Sequence, residues 1–343
     1  MTSALKQLIP TGLKRWVRHD NPVSRLIRDR RLIRPRPVFI NIEVTTRCNL
    51  ACRMCPHESL GASNGQDMPF DLLRQIVNEA GALPGIAFYL FGLGEPLLYE
   101  QLPEAVAHIR SRFPQNDIVL DTNGHYLRGP EAESVLDCDR VLISLNAGSA
   151  DSYLWLTGSN AYDAVTANVR ELLRRRQRSR RYQDTGKPFV NIQFLDTDRT
   201  RHELPVFQQQ WEPLLDGGGA VNVKSVTNWG GAVDTGLLRG PRPATRRYPC
   251  IYLWHSLAVD VHGNVYPCCE ALGRRRDSAL RLGKIGERSL AEIYFSRPLH
   301  EARHLNLADQ YAAIADCRKC DIYSCHRNVW LRLPLALQGR RWV

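Results

Sequence analysis

Short apolar runs and helix-period segments alternate from residue 38 to residue 225, and no other feature of this 343-residue chain restricts its fold as strongly. Val38–Val44 reads as a strand, and Phe70, Leu72, Leu73, Ile76 and Val77 then recur with a helical period. A strand over Ile86–Phe91, a helix over Leu102–Arg110 and a strand over Ile118–Asp121 follow. Further strands are expected at Arg140–Ser144, Phe189–Leu195 and Ala220–Lys224, with helices near 162–175 and 201–214. Such alternation specifies a parallel sheet whose functional groups gather at the C-terminal strand ends. Five or six βα units fit this span, fewer than the eight of a closed barrel. The expected fold class is therefore α/β, a partial (β/α)6 TIM-like barrel open on one side, followed by a small α+β domain. A doubly wound open sheet has the same periodicity.

Three segments are expected: a basic extension at 1–37 closed by Pro35 and Pro37, a core at 38–228, and a second domain at 229–343. Asn228-Trp229-Gly230-Gly231 opens the last connector, and Val259–Tyr266 reads as a hairpin turning at Gly263 and Asn264. The formal net charge is +11. Residues 1–36 supply most of it, with ten Lys or Arg against Asp20 and Asp29. That arm reads as a contact for an acidic partner, nucleic acid or membrane surface, or equally as a solvated extension. Arg174–Arg181 reads as the charged end of a surface helix. Nucleic acid is not the expected partner. No apolar stretch reaches the roughly 18 residues of a membrane span, and no secretory signal is evident, so a cytoplasmic location is expected.

Ten cysteines in such a chain point to metal or redox chemistry rather than structural disulfides. Cys48, Cys52 and Cys55 follow the first strand; Cys250, Cys268, Cys269, Cys317, Cys320 and Cys325 crowd the C-terminal part; Cys138 stands apart. An iron–sulfur cluster takes four thiolates, so three from one loop leave an iron open to another ligand. The alternative is a closed zinc site with His57 as fourth ligand.

Cys48-Asn49-Leu50-Ala51-Cys52-Arg53-Met54-Cys55-Pro56 resembles the signature of the radical S-adenosylmethionine (SAM) superfamily. The resemblance implies a [4Fe–4S] cluster on Cys48, Cys52 and Cys55 whose open iron chelates SAM. Gly92-Leu93-Gly94-Glu95-Pro96 resembles the family's glycine-rich element, which implies that Gly92, Gly94 and Glu95 meet the SAM amine. Likewise Asp121-Thr122-Asn123-Gly124 and Ser144-Leu145-Asn146 resemble elements near the SAM ribose and carboxylate, implying roles for Asn123, Ser144 and Asn146. Asn146 stands where an Asp is usual, and Met54 where many members carry an aromatic residue beside adenine. For Asn123, Ser144 and Asn146, ordinary turn and capping duty is the competing reading.

From Asp260 to Cys268, and on to the terminal Cys317-x-x-Cys320, the chain resembles SPASM and twitch auxiliary-cluster domains. This implies one auxiliary [4Fe–4S] cluster on Cys250, Cys268, Cys317 and Cys320, with Cys325 accessory or buried. Zinc on the same four sulfurs is the alternative, since spacing does not separate the metals. The resemblance implies cleavage of SAM to a 5′-deoxyadenosyl radical, C–H hydrogen abstraction and two-electron oxidation of a small hydroxylated substrate such as a sugar or aminocyclitol. The auxiliary cluster would accept the electron, and a flavodoxin or ferredoxin would supply the reducing one. Epimerisation with Cys269 as hydrogen donor, and peptide maturation, are the enzyme alternatives; a zinc-stabilised RNA-binding protein is the non-enzyme one. Gln193, Trp229 and Glu270 are candidate pocket residues, with packing or surface roles as the alternatives.

Overall fold

The computed structural model describes residues 37–60, 65–81, 83, 85–128, 130–238 and 249–322. The basic extension before Pro37, and Cys325, lie outside them. Six strands, β1 (Phe39–Ile42), β2 (Ala87–Leu90), β3 (Ile118–Thr122), β4 (Arg140–Asn146), β5 (Phe189–Asp196) and β6 (Gly219–Ser225), pair in parallel. Their spatial order is sequential from β6 to β1. A doubly wound sheet would reverse direction at a switch point, so the sequential order selects the open barrel between the two candidate folds.

The sheet does not stop where the composition changes near residue 228. Strand β7 (Ser256–Val259) pairs in parallel with β1, and β8 (Asn264–Tyr266) and β9 (Gly283–Lys284) continue antiparallel, giving nine strands in one sheet. The C-terminal segment thus shares its backbone ladder with the barrel. Asp260 shapes the hairpin by accepting from the backbone N–H groups of His262 and Asn264 and from the Tyr266 hydroxyl. Gly263, at φ +83°, makes the turn that an L side chain would strain.

Helices α1 (Phe70–Gly81), α2 (Leu102–Arg112), α3 (Pro130–Val135), α4 (Ala150–Thr157), α5 (Tyr162–Arg178), α6 (Arg180–Thr185) and α7 (Leu204–Leu215) follow successive strands. Leu73, Ile76, Val77 and Ala80 form the buried stripe of α1, at the spacing of one helix face. Each large apolar side chain buried this way contributes about 1.5–3 kcal/mol relative to exposure. Cys138 is fully buried beside this core, its thiol directed at the Ser134 carbonyl at 3.6 Å. The C-terminal part adds α8 (Tyr252–His255), α9 (Leu290–Tyr294), α10 (Arg297–Leu307) and α11 (Ala315–Arg318). No helix among the described residues is long and apolar enough to cross a membrane.

Arg174–Arg181 is not one charged helix end. The helix breaks at Ser179, whose side chain accepts from Tyr182 N and starts α6. Arg176 is fully buried, donating to the Gly218 carbonyl at 2.6 Å and the Leu215 carbonyl at 2.9 Å, so it closes the C-terminal end of α7. Arg175 pairs with Glu133 and Arg181 with Asp139. These cations hold the barrel together instead of forming a free basic track.

Asp139 is the hub of the opposite barrel end. It receives Arg110 at 2.5 Å, Lys187 at 2.7 Å, Arg181 at 2.9 Å and the Ile118 N–H at 2.8 Å. Burial alone would raise its carboxyl, but the Lys187, Arg110 and Ile118 donors outweigh that and hold it below the ordinary value of 3.8. A depressed folded-state value means stability that is present above the unfolded value and lost as pH falls through the folded one. We predict an acid limb in urea-unfolding stability below pH 3.8 that Asp139→Asn removes. The same variant should lose about 1.5–3 kcal/mol at neutral pH.

Candidate functional site

The Cys48–Cys55 loop begins a few residues past β1 and is stitched to the end of α4. Ala51 N–H donates to the Thr157 carbonyl at 3.2 Å and Arg53 N–H to Leu156 at 2.9 Å. A turn from Cys55 N–H to the Cys52 carbonyl brings those two thiols to one side. Burial raises all three thiols, Cys55 to about 12, and Cys52 is raised further by its neighbours Cys55 and Cys48. Three partly buried thiols within each other's field need a cation before they ionise, which suits a metal cluster. His57 spends Nε2 on the Thr46 carbonyl at 2.6 Å, so that nitrogen is not directed at a metal. Among the described residues no three His, Cys, Asp or Glu side chains converge on a single-ion position. In a multi-iron cluster each thiolate takes its own iron.

The glycine-rich turn after β2 is fitted to protein. A Cβ on Gly92 would lie 2.4 Å from Glu43 Cγ, and one on Gly94 2.2 Å from the Thr45 carbonyl oxygen. Both glycines therefore let this turn close on the segment leading into the cysteine loop. Glu95 is buried and caps the short Pro96–Leu98 turn. Its Oε1 accepts from Leu97 N–H at 3.1 Å and the Thr122 hydroxyl at 2.6 Å, while Oε2 accepts from Asn123 N–H at 2.7 Å. Burial pushes its carboxyl up to about 7 despite those donors. Three of its roughly four acceptor positions are thus filled by protein. Asn123 donates through Nδ2 to Asn49 Oδ1 at 2.8 Å, tying the loop after β3 directly to the cysteine loop. Asn146 ends β4 at φ +66°, a left-handed turn that Asn tolerates, so it serves a backbone need whatever else it contacts. Ser144 stands apart from these, facing Asp121 and Gln193.

In the C-terminal part, burial raises the Cys268 thiol, and Cys269, Cys250, Cys320 and Cys317 raise it further, so these cysteines lie within one another's electrostatic reach; Cys268 packs with Cys317 and Cys250 with Cys320. Asp316 fixes the terminal Cys-x-x-Cys by accepting from the Ser278 hydroxyl and Ala279 N–H. Cys250 N–H is held by Asn306 Oδ1 at 2.7 Å. Cys269 is partly buried; burial and the Glu270 charge raise its thiol, and Lys224, from β6, opposes them. Glu270 is buried, and burial pushes it up to about 8.

Two contacts join the cysteine sites, and sequence reasoning foresaw neither. Trp229 donates from Nε1 to the Met54 carbonyl at 2.9 Å, while Asn228 Nδ2 donates to Lys319 O at 2.6 Å. The connector therefore touches the first cysteine loop and the terminal Cys-x-x-Cys together, which places Trp229 between the sites. The second contact is a buried bidentate ion pair: Arg275 donates to Glu43 Oε2 at 2.8 Å and Oε1 at 2.6 Å, across 232 residues. Glu43 Oε1 also accepts from Leu93 N–H. A charged residue closing an apolar strand was the available signal, because a buried carboxylate requires a partner.

A three-thiol loop at the C-terminal ends of parallel strands, with a second thiol pocket beside it, defines a barrel enzyme built around metal cofactors. The Radical SAM superfamily model matches residues 42–193 and the SPASM iron–sulfur cluster-binding domain model matches residues 250–321; the chain belongs to the radical SAM superfamily and carries a C-terminal SPASM domain. Its cofactors are accordingly SAM and two iron–sulfur clusters. It is 28% identical over 166 residues to a probable GTP 3′,8-cyclase of Methanococcus maripaludis, covering 48% of this chain and 52% of that protein. A tungsten-containing aldehyde ferredoxin oxidoreductase cofactor-modifying protein of Pyrococcus furiosus is 24% identical over 170 residues, 49% of this chain and 46% of that one. The chain thus spans about half the length of these curated relatives. Among solved structures, BtrN in complex with AdoMet and 2-DOIA shares the fold at TM-score 0.55 and 17% identity, covering 83% of this chain and 93% of that one. SuiB of Streptococcus suis bound to precursor peptide SuiA matches at TM-score 0.56 and 13% identity, over 94% and 83% of the respective chains.

Removing one partner of a buried ion pair leaves the other charge uncompensated. Arg275→Met should therefore lower stability by about 3–5 kcal/mol, and the double variant Glu43→Gln/Arg275→Met should recover part of it. Urea-denaturation midpoints of wild type, Glu43→Gln, Arg275→Met and the double variant check this.

Proposed function

We propose that this radical SAM enzyme is an oxidoreductase that removes two protons and two electrons from a small hydroxylated substrate, one of each as an abstracted hydrogen atom, the second electron passing to the auxiliary cluster and the second proton to solvent. The observation carrying this reading is the packing of Cys268 with Cys317 in one buried cluster and of Cys250 with Cys320 in another, all four within reach of the charge on Cys268. Four thiolates complete a cluster, and a complete cluster can accept an electron but offers no site for SAM. Cys48, Cys52 and Cys55 are the proposed ligands of the other cluster, where bound SAM supplies the hydrogen-abstracting carbon radical. The chain's own part is placement. The loops bearing Gly92, Gly94, Glu95, Asn123 and Asn146 are the proposed SAM cradle, with Glu95 and Asn49 fixing Asn123 from either side. Ser144 is the proposed bridge from that cradle to the lumen. The Trp229 and Arg275 contacts hold the auxiliary pocket against this cradle, so that the distance between clusters is set by packed protein.

A second reading, epimerisation, draws on one observation. Cys269 adjoins the proposed ligands and lies within the field of Lys224 on β6, a suitable place for a thiol that returns hydrogen to a substrate radical. Solvent deuterium at carbon in the product supports epimerisation; a product lighter by two hydrogens supports oxidation.

Anaerobically reconstituted wild type should contain about two [4Fe–4S] clusters, as the thiolate sets imply. The variant Cys48→Ala/Cys52→Ala/Cys55→Ala should lose one of them together with all 5′-deoxyadenosine formation. Iron and sulfide analysis with product chromatography measures both. A variant that still cleaves SAM overturns the assignment, as does wild type holding zinc in place of iron.

A further inference from the structure

Residues paired in register share a sheet face, so one face of β1 and β7 carries Phe39 beside Ser256 and Asn41 beside Ala258. Tyr266 of β8 continues the Ala258 row. That face abuts the C-terminal cysteines at two points. Ala258 and Tyr266 belong to the buried group that holds Cys317 and packs against Cys268, two residues past Tyr266. Phe39 meets Tyr252 edge-on with 6.0 Å between ring centroids, and Tyr252 packs with Cys250 and Cys320. Asn41 is thus flanked across the ladder by the packing of one cysteine pair and along its own strand by that of the other. It is 1% exposed, and neither its Oδ1 nor its Nδ2 has a hydrogen-bond partner among the described residues. Burying a primary amide unpaired costs stability that an aliphatic side chain in the same place would not cost.

We infer that the Asn41 amide is kept for the auxiliary cluster, its Nδ2 donating to a sulfur of that cluster and so raising the cluster's reduction potential. The inference rests on the proposed ligand set of Cys250, Cys268, Cys317 and Cys320 and adds the residue that tunes it. The amide oxygen suits harder cations than the iron of a thiolate-ligated cluster, which leaves the amide hydrogens as the half that sulfur can accept. A cluster gains one negative charge on reduction, so a hydrogen-bond donor at its sulfur favours the reduced form. In the proposed oxidation the substrate radical loses one electron and one proton; the electron reduces the auxiliary cluster by one, and the proton passes to solvent. A raised potential favours that transfer.

The full-length variant Cys48→Ala/Cys52→Ala/Cys55→Ala, reconstituted anaerobically, isolates the auxiliary cluster. Its midpoint is read by redox titration with electron paramagnetic resonance. Adding Asn41→Leu, close in volume but without a donor, should lower that midpoint by about 59 mV, a tenfold change in the one-electron equilibrium. A second measurement needs no change at Asn41: the parent three-alanine protein, labelled with nitrogen-15 in its asparagine side chains, should show an amide nitrogen coupled to the reduced cluster in pulsed resonance. Asn41→Leu should abolish that coupling. An unmoved or raised midpoint overturns the inference, as does a parent protein without the coupling, a readout that stands even where the Leu variant fails to fold. Iron missing from the parent's auxiliary site sinks the functional reading as well, whereas iron present with an unmoved midpoint sinks the inference alone.

Discussion

A carboxylate buried at the end of β1 has to find a cation, and that requirement organises the molecule. Glu43 is fully buried, and the guanidinium of Arg275 takes both of its oxygens. Strand β1 is also the seam of the sheet, with β2 on one edge and β7 on the other. The loop it launches carries Cys48, Cys52 and Cys55. One ion pair and one doubly paired strand therefore set where the C-terminal cysteines lie relative to the N-terminal ones. Because Glu43 alone would be left without water or counter-charge, the two segments are held together by this pair.

Around that seam, short polar contacts do what no long element could. Glu95 binds the turn after β2 to the loop after β3, and Asn123 passes the connection to Asn49 in the cysteine loop. Glycine supplies the clearance: Gly92 and Gly94 let the turn lie against Glu43 and Thr45. The strand ends are thereby fixed to one another by protein contacts, which lowers the entropic cost of assembling a reactive geometry. At the other end of the barrel Asp139 gathers three cations, and these ties are purely structural.

The two faces of the parallel strands divide labour. Helices cover an aliphatic face that supplies the burial energy, and the concave face keeps polar groups whose hydrogen bonds are only partly made. A fold that needed only stability would fill that face with apolar side chains. Asn41 has no partner for either amide atom among the described residues, and the Ser144 hydroxyl lies between two acceptors.

Period and spacing in the sequence were enough for the βα alternation, the parallel-sheet class and the three-cysteine loop, because helix and strand periods and thiol ligation are local properties. Likewise the hairpin at Gly263 and the terminal Cys-x-x-Cys were legible from turn chemistry and motif. Sequential strand order, the merging of both segments into one sheet and the burial of Arg176 were not, since each depends on pairing between distant residues. The glycine-rich turn shows the boundary well: its residues were readable as a close-approach element, but only the packed structure identifies Glu43 and Thr45 as what they approach. Local chemistry names the groups a chain can use; the tertiary structure alone decides which of them meet, because a contact such as Glu43 with Arg275 spans 232 residues and leaves no periodic trace.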